Sequence, residues 1–194
     1  QRSSLLCDVR EACSIGKLGV SLLNRIESSE NIARAYCVYF GLAAHYTESI
    51  QSCEKRLKKG FEAGMSNGDT FSAFFCANHH IRVSMIGGGN LSTLLRETEY
   101  YLNIAGQHGN IVAKKFFLMY QRTIMVLIDK DASNKNDGVS DELSQGESLC
   151  ITRLSETMNF QKALQSFWLG YAERSHHYVL KLLQMSVLGR HHRL

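Results

Sequence analysis

The run Gly64-Met65-Ser66-Asn67-Gly68 has the G-x-S-x-G spacing of a nucleophile elbow. An elbow holds a strained serine between a strand and a helix, and an acid and a histidine complete its triad. Asp129, Asp131 and His176 follow Ser66 in hydrolase order. The residues before Gly64 carry a helical rather than a strand pattern. The run therefore reads as a turn between helices, with Ser66 exposed and Asp69 capping the next helix.

Histidines form three adjacent pairs, His79-His80, His176-His177 and His191-His192. Neighbouring helical residues point about 100° apart, so such a pair cannot clasp one metal ion. The i,i+4 spacing that could do so is absent, and a metal site would need ligands converging from several helices. His80 is expected as a semi-buried core histidine with a hydrogen-bonded nitrogen, and His177 half exposed. Cysteines stand at 7, 13, 37, 53, 76 and 150. No C-x-x-C occurs, and the spacing fits neither a disulfide framework nor a zinc site. Most lie among apolar residues as small hydrophobes, which suits a reducing, cytoplasmic compartment. Gly16-Lys17 fails as a P-loop, because Glu11 occupies the first glycine position and Leu18 replaces Ser or Thr. Gly87-Gly88-Gly89 reads as a flexible turn between helices, not a phosphate cradle. No catalytic, cofactor or metal residue is expected.

The 194-residue chain is 44% hydrophobic and 21% charged, which suits a folded domain and excludes general disorder. It contains no proline, which favours unbroken helices. The net charge is +4, from 22 basic and 18 acidic residues. The densest basic cluster, Lys55, Arg56, Lys58 and Lys59, is flanked by Glu54 and Glu62 and reads as a solvated helix face. No nucleic-acid partner is expected. The most apolar run, Ile111 to Ile128, is broken by Lys114, Lys115, Gln121 and Arg122, so no membrane span is expected.

Apolar spacing is helical almost throughout. Ala33, Tyr36, Cys37, Phe40 and Ala44 share one face. The pattern returns at Ala73, Cys76, Ala77, His80 and Ser84, and again at Ala113, Phe116, Phe117, Tyr120 and Ile124, each set displaced by 40 residues. Second helices follow, one with Ile50, Cys53, Leu57 and Phe61, the other with Leu94, Leu95, Tyr101, Leu102 and Ala105. Another helix, about Leu5 to Ile26, precedes them. The expected fold is all-α, a right-handed α-solenoid of about eight antiparallel helices with a 40-residue tetratricopeptide-like (TPR-like) repeat. Residues 1–129 carry the repeats, and 130–148 are a polar, flexible insertion. Residues 149–194 add a further helix pair, with Phe160, Ala163, Leu164 and Phe167 on one face. Tyr178, Val179, Leu182, Leu183 and Met185 line the last helix. The start at Gln1 reads as the edge of an excised segment.

The stretches 30–80 and 87–110 resemble the tetratricopeptide-like region that follows the AAA-type (origin-recognition-like, STAND-like) ATPase module of large signalling ATPase–kinase proteins. The Ala33-Arg34-x-Tyr36 start, the Gly64-x-x-x-Gly68-Asp69 turn and the Gly89-Asn90-Leu91 turn carry the resemblance, which covers about residues 8–128. It implies a non-catalytic scaffold that binds a protein partner or couples the domains of a parent ATPase or kinase. In such stacks the first helices line a groove, which makes Tyr39, Phe75, His79, Arg82 and Gln121 the expected partner-binding residues. The alternatives are a small enzyme or metal-binding protein using histidines or Ser66 in an inter-helix pocket, and a nucleic-acid-binding solenoid.

Overall fold

The structure, a computed structural model, describes residues 4–26, 30–129 and 148–191. These form eight α-helices and no strand: α1 (Ser4–Arg25), α2 (Ile32–Val38), α3 (Ile50–Asn67), α4 (Thr70–Ile86), α5 (Leu91–Gln107), α6 (Ile111–Ile128), α7 (Ser148–Trp168) and α8 (Ala172–His191). The all-α expectation holds. Among the described residues no helix is long and apolar enough to cross a membrane. The expected insertion lies almost wholly outside the described residues, except that Ser148 already opens α7. The chain forms two compact units, residues 1–97 and 98–194. The division falls inside α5.

The turns follow from their residues. Ser49 Oγ accepts the Ser52 N–H at 3.2 Å, and Asp69 Oδ1 accepts that of Ser72 at 3.0 Å. Asn90 caps α5 through Thr93 N–H at 3.0 Å, and Asn110 caps α6 through Ala113 N–H at 2.9 Å. Each side chain satisfies an amide that the first helical turn leaves without an acceptor. Gly68, at φ 79°, closes α3 in the left-handed conformation that glycine adopts without strain.

In the first unit, Ala33, Tyr36 and Phe40 face Cys53, Leu57 and Phe61 of α3, and Ala73, Cys76, Ala77 and Ile81 of α4; all are buried. Two α3 glycines set how closely these helices approach. A methyl at Gly64 would stand 2.9 Å from the Cβ atoms of both Ala33 and Ala73. One at Gly60 would stand 2.7 Å from Cys76 Sγ and 3.1 Å from Tyr36 Cβ. Gly64 is thus a helix-packing glycine inside α3, not a turn or elbow residue.

The helix that begins at Ile32 does not continue regularly as its spacing suggests. It widens into a π-helical turn over Tyr39–Ala43 and tightens into a 3-10 turn at Ala44–Tyr46. Gly41 lies in the widened turn. A methyl there would stand 2.5 Å from His79 Cδ2, so the bare backbone admits the His79 ring.

In the second unit, Tyr101 stacks on Phe117 with ring centroids 5.5 Å apart, and Ala105, Ala113, Phe116, Tyr120 and Ile124 are buried. Thr123 Oγ1 donates to Gln161 Oε1 at 2.7 Å, joining α6 to α7, and Ser175 Oγ donates to the Ala163 carbonyl at 3.0 Å, joining α7 to α8. One apolar expectation is corrected here. Phe167 is 68% exposed, because the buried side of α7 carries Asn159, Gln161, Ala163 and Ser166 instead.

Two glycine-to-alanine substitutions separate packing from propensity. Gly64→Ala is expected to lower stability by about 1–3 kcal/mol, because three neighbours would have to move. Gly106→Ala, with nothing within 4 Å of the added methyl, is expected to raise stability by about 0.5–1 kcal/mol. Urea denaturation of both variants beside the parent chain checks the pair.

Candidate functional site: a thiol, imidazole and guanidinium cluster

The first unit brings two cysteines together. Cys76, on α4, donates its Sγ hydrogen to the Ala33 carbonyl at 3.3 Å. Ala33 is one helical turn before Cys37, and in α2 that carbonyl accepts the Cys37 N–H. The Cys76 sulfur is therefore lodged against the turn of backbone that carries Cys37. Gly60 makes this approach possible, since any side chain there would occupy the sulfur's place. Cys76 is buried and Cys37 half-buried, and both are free thiols.

The neighbouring Cys76 thiol is the largest influence on the Cys37 thiol and favours its ionised form. Burial opposes this. A hydrogen bond from His79 and the charges of His79 and Arg82 favour the thiolate further, and together these hold Cys37 down to about 5. The Cys37 sulfur and burial together push the Cys76 thiol well up. One sulfur is thus set to be a thiolate at neutral pH, and its neighbour to keep its proton. Arg82 is held in place by its Nη2, which donates to the Gly41 carbonyl of the widened turn at 2.8 Å.

A second polar group lies on the same helix. His80 is buried, with Ser84 Oγ 3.4 Å and Glu97 Oε2 3.8 Å from its Nε2. Lys58 pairs with the other oxygen of Glu97. Burial holds His80 down to about 4; the Glu97 carboxylate works against that and the Lys58 ammonium with it. The expected core histidine with a hydrogen-bonded nitrogen is what the structure contains.

The expected groove residues are only partly brought together. His79 and Arg82 converge on the cysteines. Tyr39 is 3% exposed and donates its hydroxyl to Glu48 Oε1 at 2.9 Å, and Gly16 lies flat against its ring. Tyr39 and His79 are thus interior residues, which corrects the expectation that they line an open groove. Phe75 is half-buried against the exposed Phe71, with ring centroids 4.8 Å apart. Gln121 belongs to the second unit, where its Nε2 donates to Glu99 Oε1 at 3.3 Å. Ser66 is exposed in the last turn of α3, and its hydroxyl donates to the Glu62 carbonyl at 2.9 Å. No strand precedes it, so the elbow geometry is not formed. His177 is exposed rather than half-buried. Among the described residues no three His, Cys, Asp or Glu side chains are placed to share a metal ion.

Cys37 and Cys76 were passed over in sequence because a search for C-x-x-C sees only sulfurs on one turn. Their signal is the repeat itself. They are 39 residues apart, one short of the 40-residue period, so they fall in adjacent columns of neighbouring helices.

Two pH experiments follow from these groups. Cys37 alkylation by iodoacetamide is expected to hold its plateau rate down to about pH 5, whereas an ordinary thiol slows below roughly 8.5. Arg82→Ala and His79→Ala should each move that midpoint upward. For His80 the folded value of about 4 lies below the ordinary 6.5, so between these pH values the unfolded chain binds a proton that the folded chain refuses. Stability therefore falls as pH drops through this window, by about 2 kcal/mol between pH 7 and 5. Urea denaturation at both pH values should show that loss, and His80→Phe should remove it.

No family model, curated protein or solved structure matches this chain.

Proposed function

We propose that the chain is a non-catalytic helical scaffold, built as a solenoid of TPR-like helix pairs, that binds a protein partner within or beside a larger signalling ATPase or kinase. The observation that carries this reading is an exposed apolar stripe on α1. Ile15, Leu18, Leu22 and Ile26 recur at helical spacing and are 63%, 70%, 55% and 60% exposed. Isolated exposed leucines are ordinary, but a continuous stripe is the surface that a second helix covers. The opposite side of α1 is already engaged, since Cys13 and Val20 are buried and Cys13 Sγ donates to the Ala43 carbonyl at 3.2 Å.

Charge defines the partner further. Arg10, Lys17 and Arg25 are exposed on one flank of the stripe, at seven- and eight-residue spacing. The fitting occupant is an amphipathic helix with an apolar seam and acidic residues along one edge. The resemblance to the post-ATPase repeats of signalling proteins supplies the expected context. A Walker A motif encoded upstream in the full transcript would support that parent, and its absence would remove it.

The surface is tested with three fluorescent helical peptides of equal hydrophobicity, one acid-flanked, one base-flanked and one scrambled. The acid-flanked peptide is expected to bind, with affinity falling as salt rises. Leu18→Glu with Leu22→Glu should weaken it at least tenfold while helical circular dichroism is unchanged. Equal binding of all three peptides, or no effect of the double variant, would overturn the assignment. Self-association that the double variant abolishes would assign the stripe to a second copy instead.

A further inference from the structure

We propose that Cys37 and Cys76 form a hydroperoxide-reactive dithiol, with Cys37 as the attacking sulfur and Cys76 as the resolving one. The Cys76 sulfur lies 3.3 Å from the Ala33 carbonyl, on the turn that carries Cys37, and Gly60 leaves the space that holds it there. The charges of His79 and Arg82 favour the ionised form of the Cys37 sulfur. A half-buried sulfur admits a small peroxide, and the buried second sulfur is protected from reacting first. A thiolate among positive charges, beside a resolving thiol, is the arrangement that makes a cysteine oxidisable in preference to its fellows.

The steps balance with a hydroperoxide as the oxidant. The Cys37 thiolate attacks the terminal peroxide oxygen, the O–O bond breaks, and an S–O bond forms. The sulfur loses two electrons and becomes a sulfenic acid, and the alkoxide or hydroxide leaving group takes a proton from solvent. The Cys76 sulfur then attacks the Cys37 sulfur. The S–S bond forms, the S–O bond breaks, and the hydroxyl departs as water with the Cys76 proton. Two thiols and one hydroperoxide give one disulfide, one alcohol (water when the oxidant is hydrogen peroxide) and one water. A small dithiol reductant reverses the state.

The pair separates from Cys53 and Cys13. Cys53 is fully buried, and burial pushes its thiol up. Cys13 is buried with its sulfur directed at the Ala43 carbonyl. Oxidation is therefore expected at Cys37 ahead of Cys53 and Cys13.

The full chain is treated with stoichiometric hydrogen peroxide, quenched, and digested without reduction. Mass spectrometry should find a Cys37–Cys76 linked peptide, with loss of two hydrogens from the intact mass, reversed by dithiothreitol. In Cys76→Ser, and in Cys76→Ala should the serine fail to fold, dimedone should label Cys37 as the trapped sulfenic acid. Cys37→Ser should show neither product. Arg82→Ala should slow Cys37 oxidation about tenfold without changing which sulfurs pair. Far-UV circular dichroism of each variant separates loss of reactivity from loss of fold. The proposal is overturned if both thiols stay free while methionines oxidise, if Cys37 links to a different cysteine, or if dimedone labels Cys76 first.

Discussion

The first unit depends on a place where α3 offers a hydrogen atom instead of a methyl group. Gly64 lies against the Cβ atoms of Ala33 and Ala73, the small residues that open two successive units of the 40-residue pattern. Gly60, one turn earlier, lies against Tyr36 and Cys76. Three helices can therefore meet at backbone distance along one seam. Interiors are packed as densely as organic crystals, so nothing nearby could yield much if a side chain were inserted. The small-then-large repeat has its physical meaning here, with alanine at the crossing and aromatic or sulfur side chains on either side of it.

The same close approach creates the chemistry. Because α2 and α4 are drawn together over α3, a sulfur from one reaches the backbone turn that carries a sulfur of the other. Because the helix after α2 widens at Gly41, the His79 ring fits beside it and the Gly41 carbonyl accepts from Arg82. A widened helical turn is a costly local geometry, and such turns are frequent at functional positions. Here it admits a ring and anchors a cation, both beside a cysteine. The polar groups of α4 are thereby divided between two environments. His79 and Arg82 serve the cysteines, while His80 meets Glu97 and Lys58. Adjacent histidines that could never share a ligand thus act on two different neighbourhoods.

Elsewhere the molecule keeps apolar surface available. The α1 stripe of Ile15, Leu18, Leu22 and Ile26 lies about half a turn from the side that packs on the π-helical segment. A helix that is apolar on two sides is suited to sit between two neighbours, and among the described residues the stripe side is exposed. The scaffold reading and the dithiol reading use different residues, so each stands or falls alone.

The sequence by itself determined the helices, their ends and most of their buried faces. Absence of proline, helical spacing and the caps at Ser49, Asp69, Asn90 and Asn110 are local properties, and local hydrogen bonding realises them wherever the chain goes. The repeated columns at Ala33, Ala73 and Ala113 marked the buried sides for the same reason. Sequence reasoning placed His80 in the core because its column mates are Phe40 and Tyr120. It missed the π-helical turn, because the apolar spacing continues through Phe40 and Ala44 as in a regular helix, while the fit of the His79 ring against Gly41 is a tertiary contact. It put Tyr39 and His79 on a surface, because off-seam spacing says which way a residue points but not whether another helix covers it. It put Phe167 in a buried face, where the α7–α8 packing instead buries polar residues. Cys37 and Cys76 read as filler because nothing within a single helix makes a sulfur reactive. Their pairing is decided by the depth to which α4 settles over Gly60, and that depth exists only in the tertiary structure.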